Sequence, residues 1–592
     1  MGVAERVLCL IAACGAAYAA PPAKRLTAWI PMRDGVRLSA NVFLPADRTR
    51  GPAILERTPY GKGADITPLY QAFVDRGYAV VAQDVRGRYD SEGVFDPLGQ
   101  EPGDGDDTLN WIARQPWCDG KIGMIGGSYR GIVQWKAAEM GNPHLKAIFP
   151  VVSGSDDYRD RFYSTGGAMK IGPRLEWMAE NLKVPGYQPN FDKYVLHLPL
   201  RTSDIAATGR SSRMFQQALN HPAYDGFWRA ISVQERIGNI RTPVFAVGGW
   251  YDNFVESDLN AYSALRKASG MNRLLVGPWP HSMSAKFQDV DFGPDSQIPV
   301  RALQLAWFDH WLMGKDEPAL AGPPLRIFVM GSDKWREESE WPPPEAHPQA
   351  FYLASGGHAN SLEGDGALSD RQAEGGARDW YTYDPRNPAP TRGGAVCCNP
   401  RVLPWGPMDQ RPVERRKDVL VYTGKPLESD LETIGPVQVI LYAATSAKDT
   451  DFTAKLVDVF PDGSARNLTD GILRLRYRES LDKPQLAKPG EVYRLTIDAG
   501  VTSNVFLKGH RIRVEISSSN FPRFDRNPNT GGRIADETRT VAATQTVYHD
   551  RGHPSELVLL AMPPEGREPG GPLTRIRRPA SSMLRPQPPN RN

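Results

Sequence analysis

Cysteine is scarce: the 592 residues hold five, and Cys9 and Cys14 fall within the first fourteen positions. That leaves Cys118, Cys397 and Cys398, too few for a disulfide framework. No histidine stands near the Cys397-Cys398 pair at zinc-ligand spacing, so a zinc site is not expected. Neighbouring cysteines bond to each other only through a strained turn; the expectation is buried thiols, or one bond from the pair to Cys118. Charge of a single sign is lacking too. The 71 basic residues exceed the 68 acidic ones by only three, which excludes a field able to gather a nucleic acid backbone. Beyond the first twenty positions no apolar run is long enough to span a bilayer. Tandem repeats are absent as well.

What is present begins with a leader. Arg6 and the amino terminus precede an apolar run over residues 7–17, and Ala17-Tyr18-Ala19 offers small residues where a signal peptidase reads them. Residues 1–19 therefore read as a signal peptide, and the mature protein as periplasmic or secreted. Pro21 and Pro22 stop any helix from running on into the fold.

The length predicts two to four domains. Asp34-Gly35 marks a tight turn between two strands, an antiparallel hairpin at a domain edge. The runs AILERTPYG, YAVVAQDVRG, KIGMIGGSYRG, LKAIFPVVSG, TPVFAVGGWYDNF and NRLLVGPWPHS follow. Each is short, continuously apolar and ended by glycine, proline or a polar residue, as parallel strands buried on both faces are. Helical patterns at 69–77, 104–115 and 131–141 alternate with them, which predicts an α/β sheet covered by helices over 24–157 and 240–325. Residues 158–239 interrupt the rhythm with aromatic, charged and helix-length text and no buried strand. They read as a helical cap inserted over the loop ends.

After a helix at 301–313 the text changes. LRIFVMG, AFYLAS, DVLVYTG, PVQVILYAAT, DFTAKLVDVF, ILRLRYRES, EVYRLTIDAG, HRIRVEISSS and TQTVYHD are short β-type runs without long helices between them. They predict a separate all-β sandwich over 335–562. Residues 563–592 are rich in proline and arginine and poor in anything that packs; a loose tail is expected.

The chemistry starts at KIGMIGGSYRG, residues 121–131. Ser128 stands between a strand and a helix signal, with small residues two before and three after it, so that its Oγ is lifted clear of both elements. The Tyr129 amide opens the helix and has no helical partner, which suits it to hold a developing oxyanion. A phosphate-cradling loop is the rival reading, but the lysine and hydroxyl that follow such a loop are missing. A serine hydroxyl needs a base. Of ten histidines, His281 in GPWPHS closes a strand, while His144, His310 and His510 lie at a helix-to-strand junction, in a helix and in the β-rich text. Asp252 in GGWYDNF ends the preceding strand and supplies an orienting carboxylate, with Asp258 the nearest competitor. The order serine, aspartate, histidine is that of an α/β-hydrolase triad. Tyr60 in TPYGK ends an early strand and offers either a second oxyanion donor or a tyrosine packed beside a turn.

These motifs, with DVRGRYDSEG at 84–93, QPWCDGKIGMIGGSYRG at 115–131 and the β-rich stretch at 418–463, resemble one superfamily of serine hydrolases. It groups X-Pro dipeptidyl-peptidases, cocaine esterases and α-amino acid ester hydrolases, and the resemblance covers the chain up to the tail. It implies an α/β hydrolase with a helical cap and a C-terminal jelly-roll domain, with Ser128 the acylated nucleophile, His281 the base and Asp252 its partner. It also implies Tyr60 and the Tyr129 amide as oxyanion donors, and a charged pair of Asp84 with Arg86 bracing the loops around the serine.

The α-amino acid ester branch binds its substrate ammonium with two acids placed two and three residues after the catalytic aspartate. Here Phe254 and Val255 stand there, with Glu256 one step on and Asp156 and Asp157 at the start of the cap. The dipeptidyl-peptidase branch carries a large N-terminal domain with no counterpart before Ala28. The expected activity is therefore hydrolysis of small carboxylic esters or activated acyl amides through an acyl-enzyme, with no cofactor or metal required. The other branches of the superfamily are the alternatives within hydrolases, and a carbohydrate-binding protein with an inactive hydrolase domain is the alternative outside them. Nothing in the sequence decides between a monomer and a homo-oligomer.

Overall fold

The computed structural model describes residues 23–563 apart from 48, 374 and 376. The signal peptide expected at 1–19 and the tail beyond 563 lie outside the described residues. Ten strands form the first sheet: β1 (Lys24–Pro31), β2 (Arg37–Leu44), β3 (Gly51–Thr58), β4 (Ala79–Asp84), β5 (Cys118–Gly127), β6 (Leu145–Val151), β7 (Val244–Tyr251), β8 (Asn272–Pro280), β9 (Leu325–Val329) and β10 (Lys334–Glu338). They lie in the order β1-β2-β4-β3-β5-β6-β7-β8-β9-β10.

The hairpin β1-β2 turns at Gly35, whose φ of 85° is one that a side chain resists. From β4 to β9 every pairing is parallel, and β2 and β10 close the two sides antiparallel. Helices α1 (Pro68–Val74), α2 (Glu101–Ala113) and α3 (Tyr129–Ala138) carry the crossovers. Thr67 caps α1 by accepting from the Tyr70 amide, and Pro68 fits the first turn, where no amide partner is needed.

The continuous apolar strands have a simple cause: both faces are covered. Ile54 and Ile125 pack with Phe73, Trp307 and Phe308 on one side, while Leu55, Met124 and Ile122 pack with Trp135 and Val133 on the other. LRIFVMG, grouped by sequence with the β-rich text, belongs instead to this first sheet as β9. It follows the crossover helix Val300–Met313 and pairs with β8 in parallel, and residues 334–338 then fold back on it as β10.

Between β6 and β7 no strand is assigned among the described residues. A π-helical turn at Asp157–Phe162, helix α4 (Ile171–Asn181) and several shorter helices fill this insertion. Beyond residue 340 the chain is β-rich. Eleven strands join in one hydrogen-bonded network, and Leu431–Thr445 pairs with three of them, Tyr493–Phe506, Ala543–Tyr548 and Glu556–Ala561.

Backbone hydrogen bonds tie this part to the rest. Gly172 N donates to Pro522 O at 2.8 Å, Met330 N to Ser503 O at 3.0 Å, and Met169 N to the Asp525 carboxylate at 2.7 Å. Asp525 also bonds the buried Arg474 at 2.8 Å, so the joint is polar and paired. Among the described residues no helix is long and apolar enough to cross a membrane.

Candidate active site

Ser128 lies in the turn from β5 to α3 with φ 58° and ψ −126°, backbone angles that cost energy for any residue with a Cβ. Its neighbours explain how the turn closes. A Cβ on Gly126, at φ 127°, would sit 2.5 Å from Arg130 Cβ, and one on Gly131 would sit 2.4 Å from Ser153 Oγ. Without side chains there, α3 approaches β6 closely and Ser128 N donates to Val151 O at 2.9 Å. The Tyr129 amide is the first of α3, where no helical carbonyl stands four residues back.

Three strand ends then converge. His281, directly after β8, places Nε2 2.9 Å from Ser128 Oγ. Its Nδ1 lies 2.6 Å from Asp252 Oδ2, and Asp252, directly after β7, is wholly buried. The other Asp252 oxygen accepts from Phe254 N at 3.0 Å. With both oxygens accepting, Asp252 fixes a proton on Nδ1 and leaves Nε2 free to accept from the serine hydroxyl.

None of the competitors is a hydrogen-bond partner of Ser128 Oγ or the His281 ring. Asp258 lies in the helix Val255–Ala268, and burial first, then the Asp252 charge, push its carboxyl well above the usual range. It lies beside Gly248 and makes no bond to His281. His510 bonds Asp458 in the β-rich part, His144 the Gly120 carbonyl and His310 the Lys315 carbonyl.

Tyr60 follows β3. Its hydroxyl oxygen accepts from Trp177 Nε1 at 3.0 Å, which leaves its own proton to donate. The loop carrying it is anchored by Lys62, which bonds Asp84 at 2.9 Å and Asp90 at 2.5 Å. Asp84 and Arg86 do not pair with each other: Arg86 turns away to Asp104 at 2.5 Å and Asp34 at 2.6 Å. The expected brace exists, but as separate ion pairs, because β4 ends at Asp84 and Arg86 stands in the turn beyond it.

Tyr60, Ser128 and Tyr129 line one cavity with Trp177, Phe254 and the cysteine pair. Cys397 and Cys398 are bonded to each other, and Cys118 is a buried free thiol. This corrects the expectation of free thiols or a bond to Cys118. Cys118 begins β5 and Ser128 follows its far end, so ten residues of strand, about 33 Å, separate Cys118 from the cavity that the pair lines.

Glu256 and Asp156 line a different, polar cavity with Asp498, and Asp157 is held by Lys136 and by Arg161 at 2.6 Å. None of these three acids lines the Ser128 cavity, whereas Phe254 does. Among the described residues no cluster of metal-ligating side chains is found. Trp177, Arg161 and Arg174, all from the insertion, line the cavity unforeseen from sequence. The aromatic content of the insertion was the one signal pointing to them.

Comparison with known proteins shows the family to which the chain belongs. Residues 34–283 match the X-Pro dipeptidyl-peptidase (S15 family) model, and 320–558 match the X-Pro dipeptidyl-peptidase C-terminal non-catalytic domain. The chain is 42% identical over 562 residues to the cocaine esterase of Rhodococcus sp. (strain MB1 Bresler), covering 90% of this chain and 97% of that one. Among solved structures, an α-amino acid ester hydrolase superposes with a TM-score of 0.79 at 26% identity, over 92% of this chain and 98% of that. An aminopeptidase from a marine sediment archaeon, Thaumarchaeota archaeon, gives 0.80 at 26% identity, over 91% and 97%.

Proposed function

The chain belongs to the serine hydrolase superfamily of X-Pro dipeptidyl-peptidases, cocaine esterases and α-amino acid ester hydrolases, and from that premise we propose that Ser128, His281 and Asp252 form its catalytic triad. It is a serine esterase. The observation that carries the residue assignment is the unbroken chain of hydrogen bonds from Ser128 Oγ through both nitrogens of His281 to Asp252.

In this reading Ser128 attacks the ester carbonyl while His281 Nε2 takes its proton. The imidazolium is steadied by Asp252, and the tetrahedral oxyanion rests between the Tyr60 hydroxyl and the Tyr129 amide. His281 then protonates the departing alcohol. A water follows the same route to release the acid and restore the serine. Phe254 and Val255, where a related branch places acids, argue against a requirement for a substrate ammonium, since an unpaired cation beside apolar side chains is costly.

The proposed architecture is an α/β-hydrolase domain over 24–157 and from 240 to Glu338, a cap over 158–239 and a jelly roll beyond. The cap reading is supported by Trp177 reaching Tyr60 from α4. The jelly roll is supported by the strand Leu431–Thr445, whose three partners let it turn from one layer to another.

Incubation with a fluorophosphonate and peptide mapping tests the assignment: label on Ser128 supports it, and a folded protein labelled elsewhere or not at all refutes it. Tyr60→Phe removes one oxyanion donor but keeps the ring against Tyr129 and is expected to lower kcat by about 10²–10³-fold with KM little changed. An unchanged kcat on short esters would assign Tyr60 to packing. The proposed leader predicts that protein exported from a bacterial host begins at Ala20; mass spectrometry showing an uncut amino terminus would reject export.

A further inference from the structure

The cavity on Ser128 includes Tyr60 and Tyr129, the oxyanion side of the serine, and His281 is not among its lining residues. Protonated His281 must reach the leaving oxygen, so the alcohol departs on the His281 side and the cavity receives the acyl group. At about 30 Å³ it suits a short acyl chain. Most of its wall is apolar: Trp177, Phe254, Pro173 and the Cys397–Cys398 disulfide. Asp160, Arg161, Lys170, Asn253 and Arg174 interrupt it, and among them Arg174 is the arginine without a carboxylate partner.

Arg174 lies early in α4 and is 8% exposed. Its Nε and Nη2 both donate to the Arg161 carbonyl, at 3.1 and 2.7 Å, and its guanidinium carbon lies 4.6 Å from the Phe162 ring centre and 5.6 Å from that of Trp177. Nη1 has no hydrogen-bond partner among the described residues.

Six arginines are buried in the described chain: Arg57, Arg161, Arg174, Arg474, Arg513 and Arg523. Five of them pair with a carboxylate, Arg57 with Glu101, Arg161 with Asp157, Arg474 with Asp451 and Asp525, Arg513 with Glu414 and Arg523 with Asp470. Arg174 alone has none, and it is one of the cations that line the cavity opening on the nucleophile.

The neighbouring charges do not compensate it. Asp157 is shared between Arg161 and Lys136. Among the described residues the Lys170 ammonium has only the Asp160 and Asn253 carbonyls for hydrogen-bond partners, and burial raises the Asp160 carboxyl well above its usual range, which favours its neutral form. Burial, and then the charge of Arg161, push Arg174 down to about 9, so it stays a cation at neutral pH. A buried cation without a counter-charge is costly unless something completes it.

We propose that Arg174 receives a carboxylate carried at the far end of the acyl group, so that the preferred substrates are half-esters of short dicarboxylic acids. This rests on the esterase reading and deepens it. The reaction is unchanged: the acyl C–O bond breaks, water supplies hydroxyl to the acyl carbon and a proton to the alcohol, and the product is a dicarboxylic acid.

The test uses the full-length enzyme with monoethyl succinate, its neutral isostere ethyl succinamate, and ethyl butyrate, with acid release followed by titration. The half-ester is expected to exceed the amide-ended ester in kcat/KM by about 10- to 100-fold, the range of a hydrogen-bonded charge pair, with most of the difference in KM. Arg174→Gln should bring that ratio to about one and Arg174→Lys should keep part of it. Should either variant misfold, succinate inhibiting the wild-type enzyme at concentrations well below those needed for butyrate gives the same answer. A wild-type ratio near one, or a ratio unmoved by Arg174→Gln, overturns the inference while leaving a serine esterase. Hydrolysis of none of the three esters would overturn both.

Discussion

Ser128→Ala is expected to lower kcat on a short ester by about 10⁴- to 10⁶-fold. The size of the loss follows from the geometry. Ser128 Oγ is the hydroxyl held 2.9 Å from His281 Nε2, and once it is gone the imidazole has no nucleophile of its own chain to activate. What remains is the oxyanion pair and substrate binding, which act on attack by water. Alanine carries the same Cβ through the same strained turn at φ 58°, so the fold is expected to survive and the melting temperature to move by a few degrees at most. Steady-state hydrolysis beside a thermal melt separates the two quantities. Turnover within tenfold of wild type in a folded variant would remove Ser128 from the mechanism.

Asp252→Asn is expected to cost about 10⁴-fold in kcat with little change in KM. Both carboxylate oxygens accept, one from His281 Nδ1 at 2.6 Å and one from Phe254 N at 3.0 Å. An amide can accept with only one of its two ends. If its oxygen stays on the Phe254 amide, its NH₂ faces Nδ1, which must then accept, and the ring proton moves to Nε2, where it opposes the serine hydroxyl. Asp258 does not substitute, since it is buried beside Gly248 and makes no bond to the ring. A loss below about tenfold, measured beside the Ser128→Ala variant, would mean that His281 is oriented by something other than Asp252.

Much of this was readable before any coordinates. The six runs read as parallel strands form β3 to β8, because burial on both faces leaves continuous apolar text between turn residues. Ser128, Asp252 and His281 were visible because each ends a strand in the same sheet, so position along the chain stood in for position in space. β9 reads with the β-rich text because a five-residue strand with four apolar residues looks alike in either sheet, and only the parallel pairing with β8 decides. Other features depend on distant partners. The separate ion pairs of Asp84 and Arg86 require knowing where Lys62 and Asp104 come to rest. Arg174 looks like any helix-surface arginine until α4 is laid over Ser128, and the lack of a carboxylate beside it is a fact of packing that no local pattern records.

The disulfide that walls the cavity comes from the last third of the chain, far past the three residues that transfer protons. A ribosome that has released residues only through His281 has therefore made the whole acid–base relay and most of the cavity wall, but not the disulfide that completes it. Competence should arrive late in biosynthesis, when the β-rich part has emerged and docked, so a truncated translation product would carry a complete nucleophile in a site still open to solvent.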